Sequence, residues 1–344
     1  ADLSVVGRAG GAKYNRAHRP SDGSAVGPMI MKTLYKAAQD RKLDIRKGTQ
    51  ALDLVKNKAG AVVGVKVKSK DGKVYTIDSK AVVLATGGFG ANQDMVVKYK
   101  PMLKGYATTN HSGATGDGIL LAQRAGAGLV DMDQIQAHPT ATPDGILISE
   151  SVRGDGAVLV NKEGKRFTNE LLTRDVVSAN ELKQPGRFAW IVWDAETSKT
   201  AKVIREYIKM GLAVSADNYA DLAKKMDVPA DALVATMKRY TEMQKAGKDE
   251  DFGRANMPQA LVTAPFYAVK VQPAVHHTMG GVHIDTKAEV IDTKGKVIPG
   301  LYAAGEVTGG VHGGNRLGAN AQADIITFGR ISGQSASEYI KTLK

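Results

Sequence analysis

The stretch that decides the fold is Leu301-Tyr302-Ala303-Ala304-Gly305-Glu306, an apolar run that ends in a glycine and an acid. Such a run favours a buried strand. In dinucleotide-binding sheets the cofactor commonly lies at the end of a strand of this kind, where an acid accepts a hydrogen bond from a ribose hydroxyl. The stretch therefore predicts an α/β domain that binds a dinucleotide, with Glu306 as a candidate cofactor ligand. The alternative is an ordinary surface glutamate.

Two motifs flank this stretch, and each puts a polar side chain beside small residues. They are His276-His277-Thr278-Met279-Gly280-Gly281 and Gly314-Asn315-Arg316-Leu317-Gly318. If His276 and Arg316 converge, they can hold a carboxylate, because arginine offers a planar fork of donors and histidine adds one more. Together with the strand, the motifs predict a flavin enzyme that acts on a small carboxylic acid.

Composition narrows the class of protein further. The chain has 344 residues, 43% of them hydrophobic, and 38 glycines, which predicts a globular, turn-rich protein with room for two domains. No apolar run reaches the ~18 residues of a membrane span, so we expect no membrane insertion. The net charge of +12 is typical of solvated surface lysines, or it attracts anionic substrates. Aromatic residues do not interleave with the basic ones, so we expect no nucleic-acid partner.

The sequence also argues against a metal centre. Cysteine is absent, which excludes disulfides, thiolate ligands and covalent haem attachment within this chain. The seven histidines are not spaced with carboxylates as metal ligands. The adjacent His276 and His277 must point their side chains in different directions. We therefore expect no metal site.

Hydrophobic periodicity divides the chain into two kinds of segment. Loops are predicted over 1–27. The predicted elements are a helix over 28–41, a short strand at 44–46, a hairpin over 61–77, a buried strand over 81–86, a helix over 116–127, strands near 157–167 and 188–192, and helices over 230–246 and 319–343. We predict a mixed α/β fold in which a cofactor-binding domain, residues 1–132 and 277–344, is split by an inserted α+β domain, residues 133–276.

Two glycine-rich segments are candidates for cofactor contact. Ala85-Thr86-Gly87-Gly88 ends a predicted strand, and glycine lets backbone N–H groups approach a phosphate or a ring. A plain tight turn is equally consistent. The second segment, 110–118, places Thr115, Gly116 and Asp117 where a helix is predicted to begin. The alternative there is that Thr115 or Asp117 only caps the helix.

Charged residues of the central part are weaker candidates. Glu150 and Arg153 are three residues apart and, taken alone, indicate an ion pair of little energetic value. Arg174 would ordinarily be a surface arginine. His138 precedes a proline and would ordinarily be structural.

In combination these motifs resemble a known family. The chain is similar to the flavoprotein part of the soluble fumarate reductases of the flavocytochrome c type, which are themselves similar to succinate dehydrogenase flavoproteins. The matching stretches follow the family's order over essentially the whole chain: Gln136–Thr140, Glu150 with Val152–Gly154, Gly164–Phe167 with Asn169-Glu170, Thr173–Asp175, His276–Gly281, Pro299–Gly310, Gly314–Gly318 and Asp324–Arg330. The resemblance implies a split, Rossmann-like FAD-binding domain with an inserted capping domain.

The resemblance also implies a flavin oxidoreductase that acts on a carbon–carbon double bond. FAD, held non-covalently, would pass hydride from N5 to one alkene carbon of an unsaturated carboxylate, most simply converting fumarate to succinate. Arg174 would give the neighbouring carbon a proton and would be reprotonated through Glu150 and Arg153, since arginine otherwise keeps its proton. Carboxylate binding is expected at His138, Ser149, His276 and Arg316. Cofactor contact is expected at Thr86, Gly87, Gly88, Thr115, Gly116, Asp117, His277, Glu306, Ala319 and Asn320.

Departures from the family pattern leave alternatives open. Ser149 stands where the family has threonine, Ala319 where it usually has glycine, and Arg8 where it has methionine, so urocanate, methacrylate or cinnamate-type acids remain alternative substrates. The family's GxGxxG-like segment, which binds the ADP half of FAD, has no counterpart in this sequence. We expect another chain to supply it, or the sequence to be a cleaved or truncated product. An oxidase of the same fold and a non-catalytic fragment that needs a partner chain are further alternatives.

Electrons must reach the flavin from outside this chain, which has no haem-attachment motif. The resemblance implies a cytochrome or a second flavoprotein as donor, with any haem on a separate domain or partner. It also implies a periplasmic location.

Overall fold

The computed structural model describes residues 5–7, 12, 14–22 and 24–343. The chain divides into two compact units. Unit 1 combines the described residues up to Arg41 with Ala137–Ala274, and unit 2 combines Lys42–Gln136 with the residues from Val275 onward. The sequence assigned the first 132 residues to a single domain, whereas the described residues before Lys42 belong with the central part of the chain.

Strands and helices alternate along the described residues. The strands are β1 (Val5–Gly7), β2 (Ala17–Arg19), β3 (Gln50–Lys56), β4 (Val62–Lys68), β5 (Val74–Asp78), β6 (Val82–Leu84), β7 (Leu129–Val130), β8 (Ile135–Ala141), β9 (Val158–Val160), β10 (Ala189–Trp193), β11 (Val214–Ala216), β12 (Phe266–Thr278), β13 (Gly281–His283), β14 (Glu289–Ile291), β15 (Val297–Ala303) and β16 (Thr308–Gly309). The helices are α1 (Val26–Asp40), α2 (Gln93–Tyr99), α3 (Asp117–Arg124), α4 (Glu150–Gly154), α5 (Arg174–Leu182), α6 (Ala195–Thr200), α7 (Lys202–Lys209), α8 (Tyr219–Met226), α9 (Ala230–Ala246) and α10 (Asn320–Thr342). The fold is mixed α/β, as the sequence predicted.

A five-stranded sheet forms the centre of unit 1. Its order is β11-β12-β10-β9, with β8 also paired to β12. β10 is antiparallel to both of its neighbours, and Ile191 lies opposite Leu159 on β9 and Val269 on β12. As in any β-strand, successive side chains point to opposite faces of the sheet.

Helices cover both faces of this sheet, which is why β9 and β10 are apolar throughout. Ile191 packs in a cluster with Val177 of α5 and Ile204 of α7. The next residue, Val192, packs in a second cluster with Leu222 of α8 and Leu233 of α9. Full burial of an aliphatic side chain of this size contributes about 1.5–3 kcal/mol. The first cluster fixes α5, the helix that begins with Arg174, against the sheet.

The N-terminal residues differ from the predicted loop. β1 and β2 pair antiparallel, with Val5 opposite Arg19. β1 ends at Gly7, the first of the glycines at 7–11, where the sequence predicted no strand. Its partner is an antiparallel strand and not the helix that a dinucleotide-binding turn requires. Asp22 lies 3.8 Å from Lys202 of α7, a contact within unit 1. Arg8 lies outside the described residues.

Unit 2 holds three small sheets, with strand orders β14-β15-β6, β16-β13-β7 and β3-β4-β5. The predicted hairpin is confirmed: β4 and β5 are antiparallel, with Val65 opposite Ile77. The predicted strand at 44–46 is wrong. Arg46 instead pairs with Asp44 at 2.6 Å, and the next strand begins at Gln50.

The stretch Leu301–Ala303 ends β15, which runs parallel to β6. Leu301 lies opposite Val82 and Ala303 opposite Leu84. Because parallel strands end at the same edge of a sheet, the segments that follow them emerge side by side. These segments are 86–88 and 305–306, so two groups of predicted cofactor ligands meet at one edge of unit 2.

The glycines of the His276–Gly281 motif serve strand packing. A side chain on Gly280 would overlap the backbone of Asp131, and one on Gly281 would overlap the backbone around Val307. From the sequence alone, these small residues were expected to let a ligand approach the backbone closely. In the structure neighbouring backbone fills that room, because β13 is the middle strand of its sheet.

Candidate functional site

The predicted site residues fall into two groups, one in each unit. In unit 1, α4 carries Glu150 and Arg153. Ser149 is the N-cap of this helix, and its hydroxyl accepts from the N–H of Ser151 at 3.3 Å. The N–H of Ser149 donates to the Tyr207 hydroxyl at 3.0 Å. Ser149 therefore helps to set the start of α4, and its role as a substrate ligand stays a prediction.

The carboxylate of Glu150 lies between two buried guanidinium groups. Its Oε2 is 2.9 Å from Nη2 of Arg174, and its Oε1 is 3.5 Å from Nη2 of Arg153. The predicted alternative, an ion pair of little value, applies to exposed pairs, whereas all three side chains here are buried. The structure thus brings the three predicted catalytic residues together in the order Arg174, Glu150, Arg153.

Arg153 is enclosed completely. Its Nη1 donates to the carbonyl of Glu170 at 2.5 Å. Burial lowers the pKa of Arg153, and the positive charge of Arg174 lowers it further, while the carboxylates of Glu150, Glu181 and Glu170 act in the opposite direction. A lowered pKa makes this arginine a better proton carrier than an exposed one.

A second buried charge network supports this group. Arg166 donates to both carboxyl oxygens of Glu170, at 2.8 and 2.9 Å, and pairs with Asp249 at 2.9 Å. Arg254 lies 3.1 Å from Glu170 and also donates to the carbonyl of Arg153 at 2.8 Å. Burial alone would raise the pKa of Glu170, but the charges of Arg166 and Arg254 hold it below its usual range.

Sequence reasoning assigned no role to this network. The spacing of Arg166 and Glu170, four residues apart, is a local signal that could have suggested a pair. No local signal marks Arg254, which lies 84 residues from Glu170 along the chain.

His138 lies on β8 and is fully buried. Its Nδ1 accepts from the N–H of Thr140 at 3.2 Å. A neutral ring with this hydrogen bond carries its proton on Nε2, the tautomer that can donate to a carboxylate. The bond to Thr140 agrees with the structural alternative, and substrate binding by His138 stays a prediction.

In unit 2, His276 and His277 point to opposite sides of β12, as the sequence predicted. His276 Nδ1 lies 2.6 Å from the hydroxyl of Thr109. His277 Nδ1 lies 3.2 Å from Oε2 of Glu306. The N–H of Thr278 donates to the other oxygen of Glu306 at 2.9 Å. Glu306 is therefore an anchored, three-quarters buried side chain and not the surface glutamate of the alternative.

His277 and Glu306 shift each other's pKa. Burial lowers the pKa of His277, the hydrogen bond and charge of Glu306 act in the opposite direction, and the charges of Arg316 and His312 lower it further. Burial alone would raise the pKa of Glu306, but the hydrogen bond and charge of His277 hold it below its usual range, with the charge of Arg316 acting in the same direction. Arg316 thus lies close enough to act on both groups, and the loop that carries it is held by Gln136, which donates to the Arg316 carbonyl at 2.7 Å.

The two glycine-rich segments lie side by side in unit 2. The N–H of Gly116 donates to the carbonyl of Gly88 at 3.1 Å. The N-cap of α3 is Gly116 itself, with φ of 78° and no side-chain cap, so the alternative in which Thr115 or Asp117 caps the helix is wrong. Asp117 instead begins the helix. Gly87 faces open space, and a residue without a side chain there permits close approach by a ligand.

Ala319 is the N-cap of α10 and adopts φ of 69°. This left-handed conformation favours glycine and strains a residue with a Cβ. Asn320 is the first residue of the helix. The departure from the family pattern at position 319 therefore has a cost in backbone energy in addition to the predicted crowding of FAD.

The sequence also missed a second imidazole–carboxylate pair. His312 Nε2 lies 3.1 Å from Asp324 of α10. The ring of His312 meets that of His277 edge to face, with 5.4 Å between centroids.

Among the described residues no cluster of three or more potential ligands could hold a metal ion. No helix in the described part is long and apolar enough to cross a membrane.

Comparison with known proteins defines the class. The profile of the family described as "FAD binding domain" matches residues 3–321. This match covers most of the chain, so the chain is an FAD-binding-domain protein.

Individual relatives narrow the class. The chain is 50% identical over 342 residues to "Fumarate reductase (cytochrome)" of Shewanella frigidimarina, covering 99% of this chain and 60% of the relative. It is 45% identical to "NADH:fumarate oxidoreductase" of Klebsiella pneumoniae, covering 98% of this chain and 36% of the relative. A solved structure of the open conformation of a flavocytochrome c3 fumarate reductase superposes with a TM-score of 0.80 at 49% identity, covering 98% of this chain and 60% of that one. The chain belongs to the flavocytochrome c fumarate reductase family. It spans about three-fifths of the length of the cytochrome-type relative.

Proposed function

We propose that the protein reduces the carbon–carbon double bond of an unsaturated dicarboxylate, with fumarate and succinate as substrate and product. The observation that carries this proposal is the buried alternation of Arg174, Glu150 and Arg153. Three neighbouring buried groups of alternating charge form a path along which a proton can move. The similarity to fumarate reductases supports the same reaction.

The residues of unit 2 fit the isoalloxazine and ribityl parts of FAD. Gly87 leaves space at the edge where β6 and β15 end, and Glu306 and His277 supply anchored polar groups beside it. FAD, when bound, supplies hydride to one alkene carbon. We propose the predicted cofactor ligands for this role: Thr86, Gly87, Gly88, Thr115, Gly116, Asp117, His277, Glu306, Ala319 and Asn320. Unit 2 would then be the FAD-binding domain and unit 1 the capping domain.

Arg174 would donate a proton to the second alkene carbon. Glu150 would first accept a proton from Arg153 and then pass it to Arg174, which restores the carboxylate. His138, Ser149, His276 and Arg316 would bind the substrate carboxylates. Donors fixed beside a carboxylate stabilise the negative charge that develops as hydride arrives.

Family membership supports further proposals on the electron donor and the location. We propose that a cytochrome or flavoprotein supplies the electrons, with haem on a separate domain or partner. The name of the Shewanella relative supports a cytochrome donor, whereas the name of the Klebsiella relative gives NADH as the reductant of that protein. We also propose a periplasmic location.

The test is the oxidation of reduced viologen by the FAD-loaded protein that contains this chain. Fumarate, urocanate and methacrylate are compared, and the visible spectrum is recorded. We expect a flavin spectrum and turnover fastest with fumarate. Turnover with urocanate or methacrylate alone would replace the substrate while keeping the reaction. A flavin spectrum without turnover on any acid would contradict the proposed function.

A further inference from the structure

Of the three residues of the proposed proton relay, Arg174, Glu150 and Arg153, two lie on α4, a helix too short to fix its own position. It has five residues, from Glu150 to Gly154, and all five are buried. Isolated helices shorter than ~12–15 residues are marginal in water, so contacts with other segments must decide where a helix of this length lies. The positions of Glu150 and Arg153 therefore depend on what holds α4 at its two ends.

At its start, α4 is held by the hydroxyl group of Tyr207 on α7. This hydroxyl accepts from the N–H of Ser149 at 3.0 Å and donates to the carbonyl of Leu147 at 3.0 Å. Ser149 directly precedes Glu150, so one hydroxyl group fixes the backbone from which α4 begins. The ring of Tyr207 is buried in the same apolar cluster as Val152 of α4.

At its end, α4 is held by the guanidinium group of Arg254. Nη2 of this group donates to the carbonyl of Arg153 at 2.8 Å, and Nη1 donates to the carbonyl of Ala157 at 2.9 Å. The last carbonyl groups of a helix lack partners within the helix, and a cation at this end satisfies them favourably. Arg254 thus connects the end of α4 to the start of β9, which follows at Val158.

Arg254 also holds the side chain of Arg153, through Glu170. Nη1 of Arg153 donates to the Glu170 carbonyl at 2.5 Å, and Nη1 of Arg254 donates to the Glu170 carboxylate at 3.1 Å. With the bond from Arg254 to the carbonyl of Arg153, these contacts form a closed cycle of three residues. Both the backbone and the side chain of Arg153 are therefore held by groups that Arg254 bonds.

The relay is sensitive to small displacements of α4. Nη2 of Arg153 lies 3.5 Å from Oε1 of Glu150, whereas Oε2 of Glu150 lies 2.9 Å from Nη2 of Arg174. The first distance is already longer than an ordinary N–H···O hydrogen bond, so a further shift of α4 would break the contact. A misplacement of about 1 Å can cost an enzyme about a hundredfold in rate.

Resting on the function proposed above, we infer that Tyr207 and Arg254 are positioning residues of the reaction. Neither exchanges a proton in this scheme. Tyr207 sets the start of α4 and therefore the place of Glu150, and Arg254 sets the end of α4 and therefore the place of Arg153. Together they keep the two groups of α4 within reach of each other and of Arg174.

The test makes one conservative change at each end of α4. Tyr207→Phe removes only the hydroxyl group, and Arg254→Lys keeps the charge but loses the fork that reaches two carbonyl groups. In the FAD-loaded protein we expect each change to lower kcat on fumarate about tenfold or more, with KM within about twofold of the wild-type value. Tyr207→Phe keeps the apolar contacts of the ring, so it decides the outcome if Arg254→Lys does not accumulate as folded protein.

Matched controls lie elsewhere in unit 1. Tyr219→Phe removes a tyrosine hydroxyl that donates to the carbonyl of Leu261 at 2.5 Å. Arg205→Lys changes an exposed arginine that donates to the carbonyls of Ser198 and Lys199 in α6, a helix without predicted site residues. We expect both controls to keep the wild-type kcat.

Separate measurement of the two half-reactions distinguishes positioning from a general loss of structure. Reduction of the flavin by viologen does not use the relay and should keep its wild-type rate in Tyr207→Phe and Arg254→Lys. Reoxidation by fumarate uses the relay and should slow in both variants, with a larger solvent deuterium isotope effect. A wild-type rate of reoxidation in Tyr207→Phe would overturn the inference, and so would equal slowing of the two half-reactions.

Hydrogen exchange gives a readout that does not depend on turnover. We expect the backbone N–H groups of residues 149–157 to exchange faster in Tyr207→Phe and Arg254→Lys than in the wild type, and at the wild-type rate in the two controls. This pattern in a protein that reduces none of the three acids would contradict the proposed function and leave the role of the two residues in placing α4 intact. Wild-type turnover on fumarate together with unchanged exchange in both variants would contradict the inference alone.

Discussion

Oε2 of Glu150 lies 2.9 Å from Nη2 of Arg174, and both side chains are buried. The geometry is that of a charge-assisted hydrogen bond, which holds a proton between the two groups in a defined direction. The other oxygen of Glu150 faces Arg153 at 3.5 Å. One carboxylate thus connects two guanidinium groups, and the first prediction tests what this connection does.

Replacement of Arg174 by alanine is expected to abolish turnover while sparing substrate binding. Loss of a positioned proton donor costs about 10²- to 10⁴-fold in kcat. The measurement is steady-state reduction of fumarate together with the dissociation constant for succinate. Arg205→Ala, on an exposed arginine of the same unit, is the control and should keep the wild-type rate. Wild-type kcat in Arg174→Ala would remove this residue as the proton donor.

Removal of the Glu170 carboxylate is expected to destabilise unit 1 strongly. Glu170→Ala leaves Arg166 and Arg254 buried without their shared partner, which costs about 3–5 kcal/mol. The control is Glu196→Ala, which breaks the exposed pair with Lys199 and should cost less than about 1 kcal/mol. Chemical denaturation gives both values. Similar costs for the two variants would show that the buried network adds nothing beyond a surface pair.

Acid is expected to destabilise unit 2 through His277. Its pKa in the folded protein is below the ordinary 6.5, because burial disfavours the charged ring. The unfolded chain therefore takes up a proton that the folded chain resists, and the free energy of unfolding falls as pH drops below about 6.5. Glu306, Arg316 and His312 face this ring and set the size of the effect.

The check is the melting temperature of wild type and His277→Gln from about pH 8 to about pH 5. The variant should show a shallower decline. The exposed His111 is the control site, and His111→Gln should keep the wild-type slope. A slope unaffected by His277→Gln would mean that this imidazole is not the responsible group.

Replacement of Ala319 by glycine is expected to stabilise the protein. The residue adopts φ of 69°, and the left-handed conformation costs a residue with a Cβ roughly 1–2 kcal/mol. Ala323→Gly, at an exposed position within α10, is the same change in a helical conformation and should cost about 1 kcal/mol. Opposite signs for the two variants in thermal denaturation support the strain. Destabilisation by both would refute it.

Local elements were predictable because the pattern that specifies them is local. The hairpin of β4 and β5 follows from alternating residues around a turn, and α9 spans Ala230–Ala246 as its apolar spacing indicates. The strand predicted at 44–46 was wrong because its segment is too short for a reliable pattern. Three residues carry too little periodicity to outweigh a local pairing such as that of Arg46 with Asp44.

The sequence by itself determined the family, the mixed α/β class and the residues expected to carry the chemistry, because their motifs are contiguous. Only the tertiary structure decided which of them meet. It put Glu150 beside Arg174, gave Glu170 the distant Arg254, and set His312 against His277. It also decided that Glu181 is buried. The physical reason is that burial and the field of neighbouring charges depend on chain segments that pack together from far apart in the sequence.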